Sequence, residues 1–313
     1  MTRQFEQIPI TTLASGYQLA LPLHRITGAN PGPTLGLLAL LHGDEPLPNA
    51  IIRRVLDQID PSQLKGTVLA LPVANPLAYE ALSRNTPLDM TNLNRVFPGS
   101  PKGVLTEQIA HAIVTHYVPQ LDYLIDMHSG GIFPTVDYVY LSKVDPDLAF
   151  AFGFDILYDA PGYTGDLGNT TEERKIPTIV AEIGGGSLVD DLYIERGIRG
   201  VFNVMKQVGM LPGRPELPAQ QTVVREMAII GPRTGGVLYP EVKLDQLGHV
   251  VPGGSVLGRV ISPYTFEELE VITAPFEKNF MILLRGAITR VNPGDYAYMV
   301  ADAATDKIEV RRH

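Results

Sequence analysis

Cysteine is absent from the 313 residues, which excludes disulfides and thiolate chemistry. Basic excess is absent as well: 34 Asp and Glu stand against 25 Lys and Arg, for a net charge of −9. That balance argues against nucleic acid or an anionic membrane as a general partner, because both demand a basic face. The longest apolar stretch near the start, Thr34 to Leu41, falls far short of the roughly 20 residues a membrane helix needs. The opening MTRQFEQIPITT lacks the charged, apolar and small-residue segments of a secretory signal, so a cytoplasmic location is expected. Repeats at solenoid periods and low-complexity tracts are also missing. None of this bears on self-association, and a homo-oligomer stays open.

What is present is an ordinary globular composition, 45% hydrophobic and 19% charged, in a chain long enough for two domains of typical size. Four short apolar runs are bounded by turn residues: TLGLLALL (34–41), GTVLALPV (66–73), DYLIDM (122–127) and PTIVAEI (177–183). Such runs read as strands buried on both faces. Between them, Pro46 to Asp60 places Ile51, Ile52, Val55, Leu56 and Ile59 on one helical stripe, and Val104 to Val118 does the same with Ile109, Ile113 and Val114. A further helix is expected over Val189 to Val208, with Gly209 as its stop. Strands alternating with helices imply an α/β sheet for residues 1–210.

The composition then changes. LPGRPELP (211–218) holds three prolines and a glycine and reads as a linker. Beyond it, residues 219–313 show short alternating pieces punctuated by glycine pairs and Pro-Gly units, the pattern of a small all-β barrel or sandwich. The phrases GHVVPGGSVLGRV, ITAP and RVNPGDY resemble biotinyl or lipoyl carrier modules. Those modules modify a lysine within a Met-Lys pair, whereas Lys278 stands between Glu277 and Asn279, so no carrier role is expected.

In an open α/β sheet, ligands collect at the carboxyl ends of the strands. His42 ends the first buried run, His128 the third and Glu182 the fourth, and Glu45 lies three residues beyond His42 in the same loop. Two imidazoles and one carboxylate leave a fourth position of tetrahedral zinc open for water, as in catalytic sites, although cobalt or nickel would suit the same donors. Spacing alone leaves each histidine equally explicable as a loop or core residue.

The wording around these residues carries more. LLHGDEP, NLNRVFPG, LIDMHSGG and VAEIGGG, in that order over residues 34–190, resemble the succinylglutamate desuccinylase and aspartoacylase family of the zinc carboxypeptidase clan, and within it the bacterial N-acetyl-diaminobutanoate deacetylase branch. The resemblance implies a zinc-carboxypeptidase-like mixed sheet flanked by helices, followed by the β-domain. It implies that His42, Glu45 and His128 hold Zn2+, and that Glu182 is the catalytic acid/base. Asn94 and Arg95 would grip a substrate carboxylate, and Arg84 would polarise the scissile carbonyl. The activity implied is hydrolysis of the amide bond of a small N-acyl amino acid.

Two features depart from the family pattern. The distance from Arg84 to NLNR differs from the aspartoacylase spacing, and Asn92 replaces an aspartate two residues before the Asn-Arg pair. Asp126 shares a strand face with His128 and could orient it, or serve structure alone. Gly184, Gly185 and Gly186 lack the pattern of a phosphate loop and read as a backbone turn. The remaining histidines, His24, His111, His116, His249 and His313, receive no role. Two other functions compete: a metallocarboxypeptidase acting on peptides, which needs an open groove over the strand ends, and a non-catalytic binding protein on the same fold.

Overall fold

The computed structural model of the protein describes residues 2–186 and 190–313. The chain opens with an antiparallel hairpin, β1 (Thr2–Thr12) and β2 (Gln18–Thr27). No apolar run announces β1, an edge strand in which only Ile8 is buried. β3 (Asn30–Ala39), α1 (Leu47–Gln58) and β4 (Lys65–Leu71) follow as a parallel crossover unit. Then come α2 (Pro76–Glu80), α3 (Leu105–Ala112) and β5 (Tyr123–His128), which pairs in parallel with β3. The expected helix to Val118 is α-helical only to Ala112 and widens into a π turn over Ile113–Tyr117.

β6 (Tyr138–Tyr140), α4 (Pro146–Phe152), β7 (Ile156–Tyr158), α5 (Leu167–Glu172), β8 (Thr178–Glu182) and α6 (Asp190–Gln207) complete the α/β part. The proposed helix start at Val189 lies outside the described residues. Alternate side chains of the central strands feed two cores, as the two-residue pleat requires. Leu35 and Leu37 of β3 meet Ile51 and Val55 of α1 and Val201 and Val204 of α6 on one face. Leu38 faces Ile109, Ile113 and Tyr117 on the other.

The sheet has ten strands because it also takes β9 (Gln220–Val224) and β18 (Ile308–Arg312), which close its far edge in the order β8-β6-β7-β9-β18. A division at residue 219 therefore does not follow the topology. The segment standing apart is the one between those strands, residues 225–307. Sequence pattern conceals this: the fully buried polar Gln221 interrupts the apolar alternation of β9, and its amide donates to the Phe150 and Phe154 carbonyls at 3.1 and 2.8 Å.

The inserted segment contains β10 (Met227–Ile230), β11 (Gly236–Pro240), β12 (Val250–Pro252) and β13 (Val256–Ile261). β14 (Glu268–Thr273), β15 (Lys278–Leu284), β16 (Thr289–Val291) and β17 (Tyr298–Asp302) complete it. They form two four-stranded antiparallel sheets, β10-β17-β15-β12 and β14-β13-β11-β16, around Leu238, Leu257, Val260, Met281 and Val300. The sandwich docks on the α/β part through Ile282, Leu283 and Met299 against Tyr138, reinforced by backbone bonds from Val136 N–H to Ile282 O and from Leu284 N–H to Pro134 O. Lys278 is exposed at the start of β15. We expect intact-mass measurement to give the unmodified chain; an increase localised to Lys278 would contradict that expectation.

Candidate active site

β3 stops at Ala39 and not at Leu41, because Leu40 takes a left-handed backbone with φ of 59°. That conformation costs a side-chain-bearing residue about 1–3 kcal/mol. It is held by the Asn75 N–H, which donates to Leu40 O at 2.9 Å, and it swings the following turn, with His42 and Glu45, over the strand ends. Gly43 in that turn is obligatory: a Cβ there would sit 2.0 Å from the Ala78 carbonyl. His128 is the last residue of β5 and Glu182 the last of β8, and the two are register partners. Neighbouring parallel strands thus set them side by side on one face.

The donor atoms of His42, Glu45 and His128 all lie within 4.8 Å of one another, and all three residues are buried. Each imidazole turns Nδ1 toward Glu45, His42 at 2.8 Å from Oε1 and His128 at 2.9 Å from Oε2. Each turns Nε2 outward to an oxygen. For His42 this is a hydrogen-bonding distance of 3.1 Å to Asn92 Oδ1; for His128 the fully buried Asp126 Oδ2 is 3.2 Å away, close enough to pair by charge but not aligned as a hydrogen bond. The Asn92 acceptor fixes the His42 tautomer that leaves the inner nitrogen free to ligate, and the Asp126 charge beside His128 favours a proton on its outer nitrogen. Asn92, noted in the sequence only as a departure, therefore has a definite place against His42, and an amide oxygen meets it as well as a carboxylate.

The electrostatics favour a cation at the centre. Burial opposes ionisation of His128, yet the Asp126 and Glu45 carboxylates on its two sides lift its pKa well above the ordinary range. Burial pushes Glu45 up, but His42 and His128 together hold it well below the carboxylate range. Burial lowers His42, with Glu45 opposing. A proton on His128 thus balances buried carboxylates, and a dication among the same three donors would do so while leaving both rings neutral. The donor set fits a borderline ion such as zinc.

Glu182 lines the same cavity. Burial pushes its carboxyl to about 7, with His128 opposing and Glu45 adding. Arg84 reaches the centre, Nη1 donating to Glu45 Oε1 at 3.1 Å. Asn94 uses its side-chain oxygen to accept from the Leu167 N–H at 2.9 Å, which ties the NLNR segment to α5. Arg95 lies with its guanidinium 4.2 Å over the Tyr163 ring and donates to Asn94 O at 2.6 Å. Among the described residues no carboxylate lies within 4.0 Å of it. The seven residues to which the family resemblance gives a role, His42, Glu45, Arg84, Asn94, Arg95, His128 and Glu182, line one cavity of about 510 Å³.

Sequence reasoning did not find the other walls. Ile229, Leu283, Arg285, Tyr296 and Met299 reach the cavity from the β-domain. Arg285 stacks 4.7 Å over Phe133, which belongs to the loop after His128. Tyr138 and Tyr140 flank Glu182, and burial followed by that carboxylate raises both phenols well above their usual range. Only three-dimensional closure joins these segments, so no local motif marks them. The glycine run is a turn, with Gly184 and Gly186 at positive φ of 55° and 76°.

A mixed sheet with converging imidazoles and carboxylates at its strand ends defines a hydrolase-type centre, and comparison with known proteins makes the class specific. Residues 31–208 match the succinylglutamate desuccinylase/aspartoacylase catalytic domain, more than half of the chain. The chain belongs to this family, whose members hydrolyse amide bonds other than peptide bonds. It is 27% identical to the N-alpha-acetyl-L-2,4-diaminobutyric acid deacetylase of Halomonas elongata, over 95% of this chain and 90% of that protein. The product-bound structure of the ectoine utilization protein EutE (DoeB) from Ruegeria pomeroyi superposes with a TM-score of 0.83 at 23% identity, covering 96% of this chain and 95% of that one. A succinylglutamate desuccinylase/aspartoacylase from Rhodobacter sphaeroides gives 0.81 at 24%, with 96% and 95% covered. Both structural likenesses extend through the β-domain. Among the described residues, no helix is long and apolar enough to cross a membrane.

Proposed function

We propose that the protein is a zinc-dependent deacylase of small N-acyl amino acids, with His42, Glu45 and His128 as metal ligands. The observation that carries this reading is the convergence of their donor atoms beside Glu182, a half-buried carboxyl whose desolvation pushes it up to about 7. When bound, zinc supplies Lewis acidity, polarising the scissile carbonyl and acidifying water. Glu182 would take a proton from the attacking water as its oxygen adds to the carbonyl carbon, and would return it to the nitrogen as the C–N bond breaks. The products are a carboxylate and an amine. Arg84 stands where it can steady charge developing on the carbonyl oxygen.

Arg95, without a carboxylate partner, holds the substrate's carboxylate through its guanidinium fork, with the Asn94 amide beside it. The Halomonas relative's name, an Nα-acetyl amino acid deacetylase, agrees with this assignment. A small substrate is favoured over a peptide because β-domain residues wall the cavity above the strand ends. The test is amine release by zinc-loaded protein from a panel of N-acetyl and N-succinyl amino acids, run beside blocked dipeptides. Turnover of the N-acyl amino acids is expected. Faster cleavage of the dipeptides would replace the proposal with a carboxypeptidase.

A further inference from the structure

From Glu182 the cavity continues along one face of β8, past Val180, toward Glu172 on α5. Gly168 keeps this groove open. A Cβ there would meet nothing closer than Val180 Cγ2 at 3.6 Å, so any larger side chain would project into the space. The groove starts beside the carboxylate clamp, because Asn94 is bonded to the first residue of α5. With the substrate's carboxylate on Arg95 and its scissile carbonyl at the His42–Glu45–His128 centre, the remaining substituent of the α-carbon, the amino-acid side chain, is the one left to enter the groove. Leu167 and Glu172 are separated along α5 by a rise of about 7.5 Å, the reach of a side chain of a few atoms.

At the groove's end, Glu172 is half-buried and oriented by its neighbours. Its Oε1 accepts from the Ser142 hydroxyl at 2.7 Å and from the Lys143 N–H at 2.6 Å. Its Oε2 has no hydrogen-bond partner among the described residues, and no cationic side chain lies within 4.0 Å of the carboxylate. The Lys143 ammonium, on the same cavity wall, is engaged by Pro161 O at 2.7 Å and Asn169 Oδ1 at 2.9 Å and makes no ion pair with Glu172. A carboxylate held by two fixed donors, with one oxygen free in a groove walled by Tyr140 and Val180, is matched to a cation on an aliphatic stem.

The geometry points to Glu172 as the specificity-determining residue for substrates whose amino-acid side chain ends in an ammonium group. The inference rests on the proposed deacylase reading. N-acetyl-2,4-diaminobutyrate and N-acetylnorvaline provide the test, since their side chains have the same length and differ in a terminal ammonium against a methyl. Zinc-loaded wild-type protein is expected to favour the charged substrate in kcat/KM by about tenfold or more, the scale of a hydrogen bond to a charged group. Glu172→Gln keeps an acceptor for Ser142 and Lys143 and should collapse that ratio toward one, with the loss falling on the charged substrate. An unchanged ratio in Glu172→Gln, or a wild-type preference for norvaline or for N-acetylglutamate, would overturn the assignment. If the wild type hydrolyses none of these, the deacylase reading stands or falls on the wider N-acetyl and N-succinyl panel, and calorimetric binding of free diaminobutyrate and norvaline still decides the role of Glu172. Tighter diaminobutyrate binding that disappears in Glu172→Gln supports the role, and equal binding of both amino acids overturns it.

Discussion

Glu182→Gln is expected to keep its metal and to lose about 10²–10⁴-fold in kcat, the range for removing a positioned acid/base. The amide preserves size and the register partnership with His128, so the ligand cluster should assemble as before. What disappears is the proton acceptor. In the wild type, burial sets the Glu182 carboxyl at about 7, and a bound dication draws it lower. The base works as the carboxylate, so kcat/KM should rise with pH through an acid limb below 7 and level off above it. In Glu182→Gln that limb should vanish along with the rate. Near-normal turnover by a metal-loaded Gln variant would remove Glu182 from the chemistry.

Arg95→Ala should lower kcat/KM for an N-acyl amino acid by about 2–4 kcal/mol of transition-state stabilisation, the range for deleting one partner of a desolvated charge pair. The guanidinium rests on Tyr163 and on the carbonyl of its neighbour Asn94, and no ion pair within the chain depends on it among the described residues. The loss should therefore fall on substrate and not on folding. A clamp also fixes the carbonyl against the metal centre, so kcat and KM should both suffer. The corresponding N-acyl amino-acid amide, which offers no carboxylate, should barely notice the change. Equal losses on both substrates would make Arg95 a scaffold residue and withdraw the free carboxylate as the recognised handle.

The central strands were legible because burial on both faces writes an uninterrupted apolar run, as in TLGLLALL and DYLIDM, and because polar residues that end such runs stand out. His42, His128 and Glu182 were visible for that reason. Asp126 was legible at one remove, through the pleat that puts it on the face of His128. The first hairpin was not, since β1 buries only Ile8 and its pattern is that of a solvated segment. The end of the sheet was not, because β9 and β18 are separated by a complete sandwich and join only through pairing of residues about 90 positions apart. The same obstacle hid the β-domain wall of the cavity, where Arg285 and Tyr296 acquire their places through the docking of Leu283 and Met299 on Tyr138. Glu172 carried no signal in the sequence, because only the folded structure brings the Ser142 and Lys143 donors to its carboxylate.

Elemental analysis joined to activity tests the account's central claim most directly. Wild-type protein, His42→Ala and His128→Ala would be loaded with zinc, freed of excess by gel filtration, and assayed for bound metal and for amine release from an N-acyl amino acid. The account predicts about one zinc per chain in the wild type, with both metal and deacylation lost in each variant, because two imidazoles and one carboxylate form the binding set. Full zinc occupancy in both variants, or undiminished deacylation by the metal-stripped wild type, would contradict it.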